Sequence, residues 1–380
     1  MKFRIDRDTF ADAVAWTARS LPLRPSVPVL AGLLVEASAE GLTLSGFDYE
    51  TSTRATLPAE VSDEGRALVS GRLLSEIVKS LPNKPIDVAL DGTKVNLTCG
   101  SARFALQTMP VEEYPRLPQM PTATGTVKAD LFATAVQQAG AAAGRDEMLP
   151  LLTGIRLELE GSTISLMATD RFRASLRDLD WYPEASDLSA QALVPAKVLN
   201  ETARSLQSGG DITVAVSSGQ TGDGLIGFEG VVGNGTRRTT TRLLEGDFPR
   251  VRQLFQAQAE TVAYVNTQEF VESVKRVSLV AERNTPVRLT FADGVLLLEA
   301  GSGDEAQASE SLEATIEGND ISIGFNPGYL LEGLGVMSDP VVHLSFTQHT
   351  KPAAISGVGE TGAEPDGAFR YLIMPVRLQS

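Results

Sequence analysis

Pro28-Val29-Leu30-Ala31-Gly32-Leu33-Leu34-Val35-Glu36 and Pro150-Leu151-Leu152-Thr153-Gly154-Ile155-Arg156-Leu157-Glu158 are two versions of one phrase, 122 residues apart. The match runs on without a gap. Leu42-Thr43-Leu44 answers Ile164-Ser165-Leu166, and Asp48 answers Asp170. Further along, Leu68-Val69-Ser70-Gly71-Arg72-Leu73-Leu74 aligns with Leu193-Val194-Pro195-Ala196-Lys197-Val198-Leu199, and Glu113-Tyr114-Pro115-Arg116-Leu117 with Asp247-Phe248-Pro249-Arg250-Val251. A third, fainter copy is carried by Val287-Arg288-Leu289 and by Ile323-Gly324-Phe325-Asn326-Pro327-Gly328-Tyr329-Leu330-Leu331. A period near 125 residues is too long for a solenoid unit. It reads as three copies of a whole domain, over 1–121, 122–254 and 255–380.

The order of elements within a copy is readable. Apolar stripes at helical spacing predict an opening helix: Phe10, Val14 and Thr17 in the first copy, Leu131, Ala135 and Ala139 in the second, Phe270, Val274, Val277 and Ala281 in the third. Asn266 with Glu269 has the form of a capping box. Alternating strands follow, such as Ile155-Leu157-Leu159 and Ile164-Leu166 around a Glu160-Gly161 turn. A second helix is expected from Ser70, from Pro195, and from Asn326 to Met337, with Pro favourable at a first helical position. Strands at Ile86–Leu90, Val95–Thr98 and Arg103–Gln107 close the copy. Each domain is therefore expected to be two helices on antiparallel sheet, an α+β layer, with the six helices forming a curved array.

The chain has 380 residues with 33 basic and 48 acidic side chains, a formal charge of −15. That argues against nucleic acid at first sight. The acid is uneven, however: residues 1–121 carry −2, 122–254 carry −3 and 255–380 carry −10. A locally basic face on the first two thirds stays open, because net charge does not decide the sign of one surface. No run approaches ~20 uninterrupted apolar residues, so no membrane span is expected. The charged start Met1-Lys2-Phe3-Arg4-Ile5-Asp6 is unlike a signal peptide. The single cysteine, Cys99, cannot close an internal disulfide and fits a reducing cytosol.

Catalytic chemistry finds little support. Two histidines, His343 and His349, and one cysteine make no zinc spacing and no nucleophile–base pair; both histidines read as structural. Two Gly-x-Gly-x-x-Gly matches, Gly222–Gly227 and Gly357–Gly362, read as hairpin loops, since no helix pattern follows either. The acidic pairs Glu112/Glu113 and Asp304/Glu305 read as solvated. No metal and no cofactor are expected. The cations are more informative. Arg72 and Lys197 hold the same repeat position, with Lys79 and Arg204 on the same two expected helices, Lys275 and Arg276 on the fifth and Arg24 at the end of the first, which suits either solvated helix faces or a row tracking phosphate. Tyr371-Leu372-Ile373-Met374-Pro375-Val376-Arg377-Leu378 is apolar almost to the last residue, as a core strand or as a pocket wall. On these residues alone a repeat scaffold that binds no nucleic acid stands as an alternative, and a nucleotide enzyme as a weaker one.

Met1-Lys2-Phe3, Arg24-Pro25 with Pro28-Val29-Leu30, Ala168-Thr169-Asp170, Phe248-Pro249, Gly324-Phe325-Asn326 and Met374-Pro375-Val376-Arg377-Leu378 together resemble the bacterial DNA polymerase III beta subunits, the sliding clamps. The resemblance covers the whole length. It implies a head-to-tail homodimer of three-domain protomers closing into a ring, helices inside, that encircles duplex DNA and catalyses nothing. Such a ring tethers the replicative polymerase and gives processivity by topology, like a high effective concentration. Sliding favours phosphate contacts over base contacts. By position, Arg24, Arg72 and Lys197 match residues facing DNA. A hydrophobic cleft for short linear motifs of the polymerase, the clamp loader, and repair and translesion proteins would use Leu152, Thr169, Arg173, Pro249, Leu254, Met374 and Val376. Leu151, Tyr329, Pro352 and Arg377 would form its second half. Phe104 and Leu106 of one subunit, with Leu279 of the other, match the ring-closing contact. The family implies a cytoplasmic, nucleoid-associated protein. Departures are Arg171-Phe172 in the cleft, where many relatives have Gly and a smaller or polar residue, Val251 and Gln253 in place of an aromatic and an Arg, a longer Gly-rich segment 217–235, and the extra Gln379-Ser380.

Overall fold

The repeated phrase folds into the same object twice. In each copy a 3-10 turn, Pro28–Ala31 or Pro150–Thr153, feeds a strand, Gly32–Ser38 or Gly154–Glu160. The shared glycine has a packing reason. A Cβ on Gly32 would lie 2.5 Å from Leu68 Cδ1, and one on Gly154 2.8 Å from Leu193 Cδ1. Leu68 and Leu193 are themselves repeat partners, so both copies keep one contact between neighbouring strands. This computed structural model describes residues 1–217, 224–281, 285–301 and 306–377. Gly222 and Asp223 of the first glycine match, the Asp304/Glu305 pair, and Leu378, Gln379 and Ser380 lie outside the described residues.

The helices are α1 (Arg7–Arg19), α2 (Gly71–Ser80), α3 (Ala129–Gly140), α4 (Ala196–Leu206), α5 (Thr267–Val277) and α6 (Pro327–Leu334). Side-chain caps fix several starts by satisfying free N–H groups. Asp6 accepts from Thr9 N at 2.9 Å, Ser70 from Leu73 N at 3.4 Å, and Asn266 from Glu269 N at 3.0 Å. Asn326 accepts from Gly328 N and Tyr329 N, with Pro327 at the first helical position. Some expectations shift. The buried stripe of α3 is Phe132, Ala135, Val136 and Ala139, the i, i+3, i+4, i+7 set, and Leu131 falls beside it, exposed. Ala281 lies beyond α5, Pro195 ends a strand rather than opening α4, and α6 stops before Gly335. Arg24 sits in the loop after α1, not on the helix.

Each copy contributes two four-stranded sets, and the pairings within and between them are antiparallel. The first set runs, in hydrogen-bonding order, Gly65–Ser70, Gly32–Ser38, Gly41–Phe47, Thr51–Leu57 in copy one. Its counterparts are Ser189–Pro195, Gly154–Glu160, Thr163–Thr169, Arg173–Asp180 in copy two, and Ile321–Phe325, Val287–Ala292, Val295–Ala300, Ala308–Glu313 in copy three. The second set runs Lys2–Ile5, Ile86–Asp91, Lys94–Cys99, Ala102–Met109 in copy one. Copies two and three have Gly125–Lys128, Asp211–Val216, Leu225–Val232, Gly235–Arg242 and Thr261–Asn266, Val341–Phe346, Ala353–Val358, Phe369–Ile373.

The copies are sewn together by backbone. The last strand of the first set in copy one pairs with the last strand of the second set in copy two, Thr51↔Thr241 to Thr56↔Thr236. Copy two repeats the arrangement with copy three, Arg173↔Ile373 to Arg177↔Phe369. The described residues accordingly fall into two compact units. One, Met1–Phe132, Trp181–Ser186 and Glu201–Leu243, holds a 14-stranded sheet. In it Arg237, nearly buried, is ion-paired to Asp12 on α1, donates to Ser205 O at 3.3 Å, and lies 5.1 Å from the Trp16 ring centroid. The other unit, Ala133–Asp180, Asp187–Asn200 and Leu244–Ser380, holds a nine-stranded and a four-stranded sheet. Among the strand edges left open in the described residues are Ala102–Gln107, bonded on one side only to Lys94–Cys99, and Ala308–Glu313, bonded only to Val295–Ala300. Among those residues no helix is long and apolar enough to cross a membrane.

His343 is buried, its ring edge-on to Tyr264 with centroids 5.2 Å apart. Burial lowers its pKa from the ordinary 6.5, against a smaller pull from Glu364. The unfolded chain therefore binds this proton first, and stability falls as pH drops below about 6.5. His343→Leu is expected to flatten urea-measured stability between about pH 6.5 and pH 5.5, because the only other histidine is the exposed His349. An unchanged pH slope would assign that loss elsewhere.

Candidate docking cleft

The turn Asp170-Arg171-Phe172-Arg173 joins two core strands of the second copy. Asp170 makes it by accepting from the N–H groups of Phe172 (3.1 Å) and Arg173 (3.2 Å), and Thr169 Oγ1 donates to Arg173 O at 2.7 Å. Arg171 is thereby placed at φ 80°, a left-handed conformation that costs an L side chain roughly 1 kcal/mol. Copy one builds the same turn, with Asp48 accepting from Glu50 N and Thr51 N and Tyr49 at φ 75°.

Arg173 is the hub beneath the turn, 3% exposed. Its Nε donates to Asp170 Oδ2 at 3.0 Å, and its terminal nitrogen to Glu332 Oε2 on α6 at 2.6 Å and to the Tyr371 hydroxyl at 3.4 Å. The guanidinium also stands 4.5 Å from the Tyr329 ring centroid. Burial works to lower the Arg173 pKa, but Tyr371, Glu332 and Asp170 together outweigh it and leave the group more basic than usual. Burial pushes the Tyr371 hydroxyl up, against Arg173, so it stays protonated and donates to Tyr329 O at 2.8 Å. Arg145 completes the network, donating to Glu332 Oε1 at 2.9 Å.

Above this network opens a cavity of about 340 Å³. Leu152, Arg171, Phe172, Arg173 and Tyr329, all expected in the cleft, line it, and Phe172 stacks on Tyr329 with centroids 5.9 Å apart. Sequence reasoning missed Arg145, Asp146, Leu149 and Glu332 on its wall. Asp170 had surfaced as a repeat match and in the family-like Ala168-Thr169-Asp170 but not as a cleft residue, and Glu332 lies 159 positions from the arginine it binds. Thr169 is buried and supports the turn from below. Met374 is exposed and ties in through its N–H to Phe172 O at 2.8 Å, and Val376 N–H bonds Gly324 O. The C-terminal segment is a core strand over Phe369–Ile373, and Met374 after it bonds to the cleft turn without lining the cavity.

Other expected cleft residues lie apart from this cavity. Leu151 turns toward Gly246, and Pro249 lines a second cavity of about 370 Å³ with Met167, Phe248 and Arg252. Leu254 is half exposed on the 3-10 segment Val251–Gln256, which packs against the strands Arg173–Asp180 and Phe369–Ile373. Pro352 and Arg377 border neither cavity. Leu106 needs correction: it is 3% exposed, packed in the first copy's own core, and has no surface to offer another subunit. Phe104 and Leu279 are exposed. Arg24, Arg72 and Lys197 are all exposed, and Arg72 and Lys197 are each the second residue of their helix, as the repeat requires. Among the described residues no cluster of His, Cys, Asp or Glu is arranged to hold a metal.

The cavity joins an apolar wall at Leu149, Leu152, Phe172 and Tyr329 to Arg145, Arg171 and Arg173, chemistry that suits an apolar segment docked beside a charge. Comparison with known proteins gives the class. Residues 1–118, 126–250 and 252–377 match the family models for the N-terminal, central and C-terminal domains of the DNA polymerase III beta subunit. The "Beta sliding clamp" of Streptomyces coelicolor is 57% identical over 378 residues, covering both chains completely. The "Beta sliding clamp homolog GriR" of Streptomyces muensis is 44% identical over 99% of each. Among solved structures, the Bacillus subtilis sliding clamp superposes with a TM-score of 0.89 at 27% identity, and a Pseudomonas aeruginosa clamp bound to griselimycin with 0.89 at 25%, each over 100% of both chains. The chain belongs to the DNA polymerase III beta subunit family, the bacterial sliding clamps. It is a non-catalytic processivity factor of DNA replication that works as a ring-forming dimer, which leaves no place for the nucleotide-enzyme or scaffold readings.

Lysine in place of Arg173 keeps one charge but loses the fork that holds Asp170 and Glu332 at once. Arg173→Lys is expected to cost about 2–3 kcal/mol in urea unfolding with an unchanged m-value. A loss under about 0.5 kcal/mol would show that the network does not hold the cleft floor together.

Proposed function

We propose that the ring closes head to tail through two open edges, Ala102–Gln107 of one protomer pairing with Ala308–Glu313 of its partner. The support is the repeat itself. At both joints inside the chain, the last strand of one copy's first set bonds to the last strand of the next copy's second set. Ala308–Glu313 and Ala102–Met109 are the strands left over in those two roles. Phe104 is exposed on one edge strand, and Leu279 is exposed just after α5, in the copy that carries the other. The three domains take the bounds 1–121, 122–254 and 255–380.

Arg24, Arg72 and Lys197 supply phosphate contacts inside that ring. Arg24 and Lys197 have no ion-pair partner among the described residues, and Arg72 makes only an exposed pair with Glu76, worth little. Arg276, by contrast, is spent on Glu310. The cleft at Leu152, Phe172, Arg173, Tyr329 and Met374, extended by Leu254 and Val376, takes short apolar motifs of the replicative polymerase, the clamp loader, and repair and translesion polymerases. The protein acts in the cytoplasm, at the nucleoid.

Two measurements test this. Phe104→Asp with Leu279→Asp is expected to move the mass found by light scattering from that of two protomers to that of one; an intact dimer would exclude these residues from ring closure. Arg24→Glu, Arg72→Glu and Lys197→Glu together should shorten retention on closed circular DNA, with a shallower salt dependence than the parent. Linearising the DNA should release both proteins, and retention equal to the parent's on circles would remove the three residues from the DNA-facing set.

A further inference from the structure

We propose that Arg171 sets the specificity of the docking cleft, selecting partner segments that carry a carboxylate beside their apolar anchors; this rests on the cleft reading above. Charged groups on the cavity wall are mostly spent. Arg173, Asp170, Glu332 and Arg145 bind one another, and Asp146 accepts from Met148 N at 3.0 Å. The Arg171 side chain makes no hydrogen bond or ion pair among the described residues. Its guanidinium stands 5.8 Å from the centroid of Phe172, which stacks in turn on Tyr329.

The backbone adds a second observation. The turn needs a left-handed residue, and glycine or asparagine would fill that place with less strain. In the matching turn of copy one the residue is Tyr49, whose ring packs edge-on against Phe47 at 5.6 Å and so has an internal use. Arg171 has none. It lines a cavity whose apolar wall is Leu149, Leu152, Phe172 and Tyr329, over an aromatic face that leaves its planar fork of donors open. That fork matches a carboxylate in a two-pronged geometry. Two apolar anchors of a docked segment would occupy the wall at Leu152, Phe172 and Tyr329, and a neighbouring Asp or Glu would meet Arg171.

The test uses the full-length protein and two synthetic ten-residue peptides, each with one Leu and one Phe as anchors, one followed by Asp and the other by Asn. Calorimetry should give the Asp peptide roughly tenfold tighter binding at low salt, narrowing as salt screens the contact. In Arg171→Gly the two peptides should bind alike, at the affinity the parent has for the Asn peptide. Arg171→Lys should keep part of the preference, and Arg171→Glu should invert it. Arg171→Gly should melt within a few degrees of the parent, because relief of strain offsets added chain entropy. Equal binding of both peptides by the parent, or a preference that survives Arg171→Gly, would overturn the proposal and leave the cleft standing. Binding of neither peptide would overturn the cleft reading and this one with it. Loss of retention on circular DNA in Arg171→Gly would assign the side chain to phosphate and overturn it as well.

Discussion

The architecture depends on strand pairing across copy boundaries. Thr51–Leu57 lies against Gly235–Arg242, and Arg173–Asp180 against Phe369–Ile373, each by a regular antiparallel ladder. A buried ladder cannot be left half made, since each unpaired N–H or C=O carries a desolvation cost of about 1–3 kcal/mol. The joints are therefore as rigid as the sheets. For this reason the compact units follow the joints and not the repeats: the second copy is shared between two sheets, half of it in each unit.

The cleft is a by-product of the second joint. Tyr371 comes from the strand that copy three contributes, and Arg173 from the strand that copy two contributes. The ladder brings them to one place, and Arg173 then reaches Glu332 on α6. The floor therefore exists only when both copies are in register. At the first joint the corresponding tie is Arg237, held by Asp12 and lying over Trp16.

Much of this was legible in the sequence, for a definite reason. Core strands alternate strictly, so Ile155, Leu157, Leu159, Ile164 and Leu166 announce both their element and their face, and all are fully buried. The repeat then carries each reading to the other copies. What stayed hidden depends on long-range geometry. Leu131 and Phe132 are adjacent apolar residues, and only packing decides which faces inward. Leu106 reads like an interface residue because strand position alone does not separate an inner face from an outer one. Arg173 was expected in the cleft, but the rest of its charged floor was hidden, since Arg145 and Glu332 share no local pattern with Asp170 and Arg173. Pro352 and Arg377 came in through resemblance, and nothing in their own spacing placed them.

Each copy offers one bonding edge of each kind, and the two kinds are complementary. Hydrogen bonds of that sort do not count: a fourth or a seventh copy would join by the same ladder as the third. An edge-to-edge polymer of indefinite length is thus the built-in competitor of any closed assembly of this chain, and only the bend at each joint separates the two. The open strand Ala308–Glu313 carries Glu313 and the ion-paired Glu310, and two such edges laid against each other would bring like charges together. Acidic side chains on that edge turn it away from its own kind and leave it to the complementary edge.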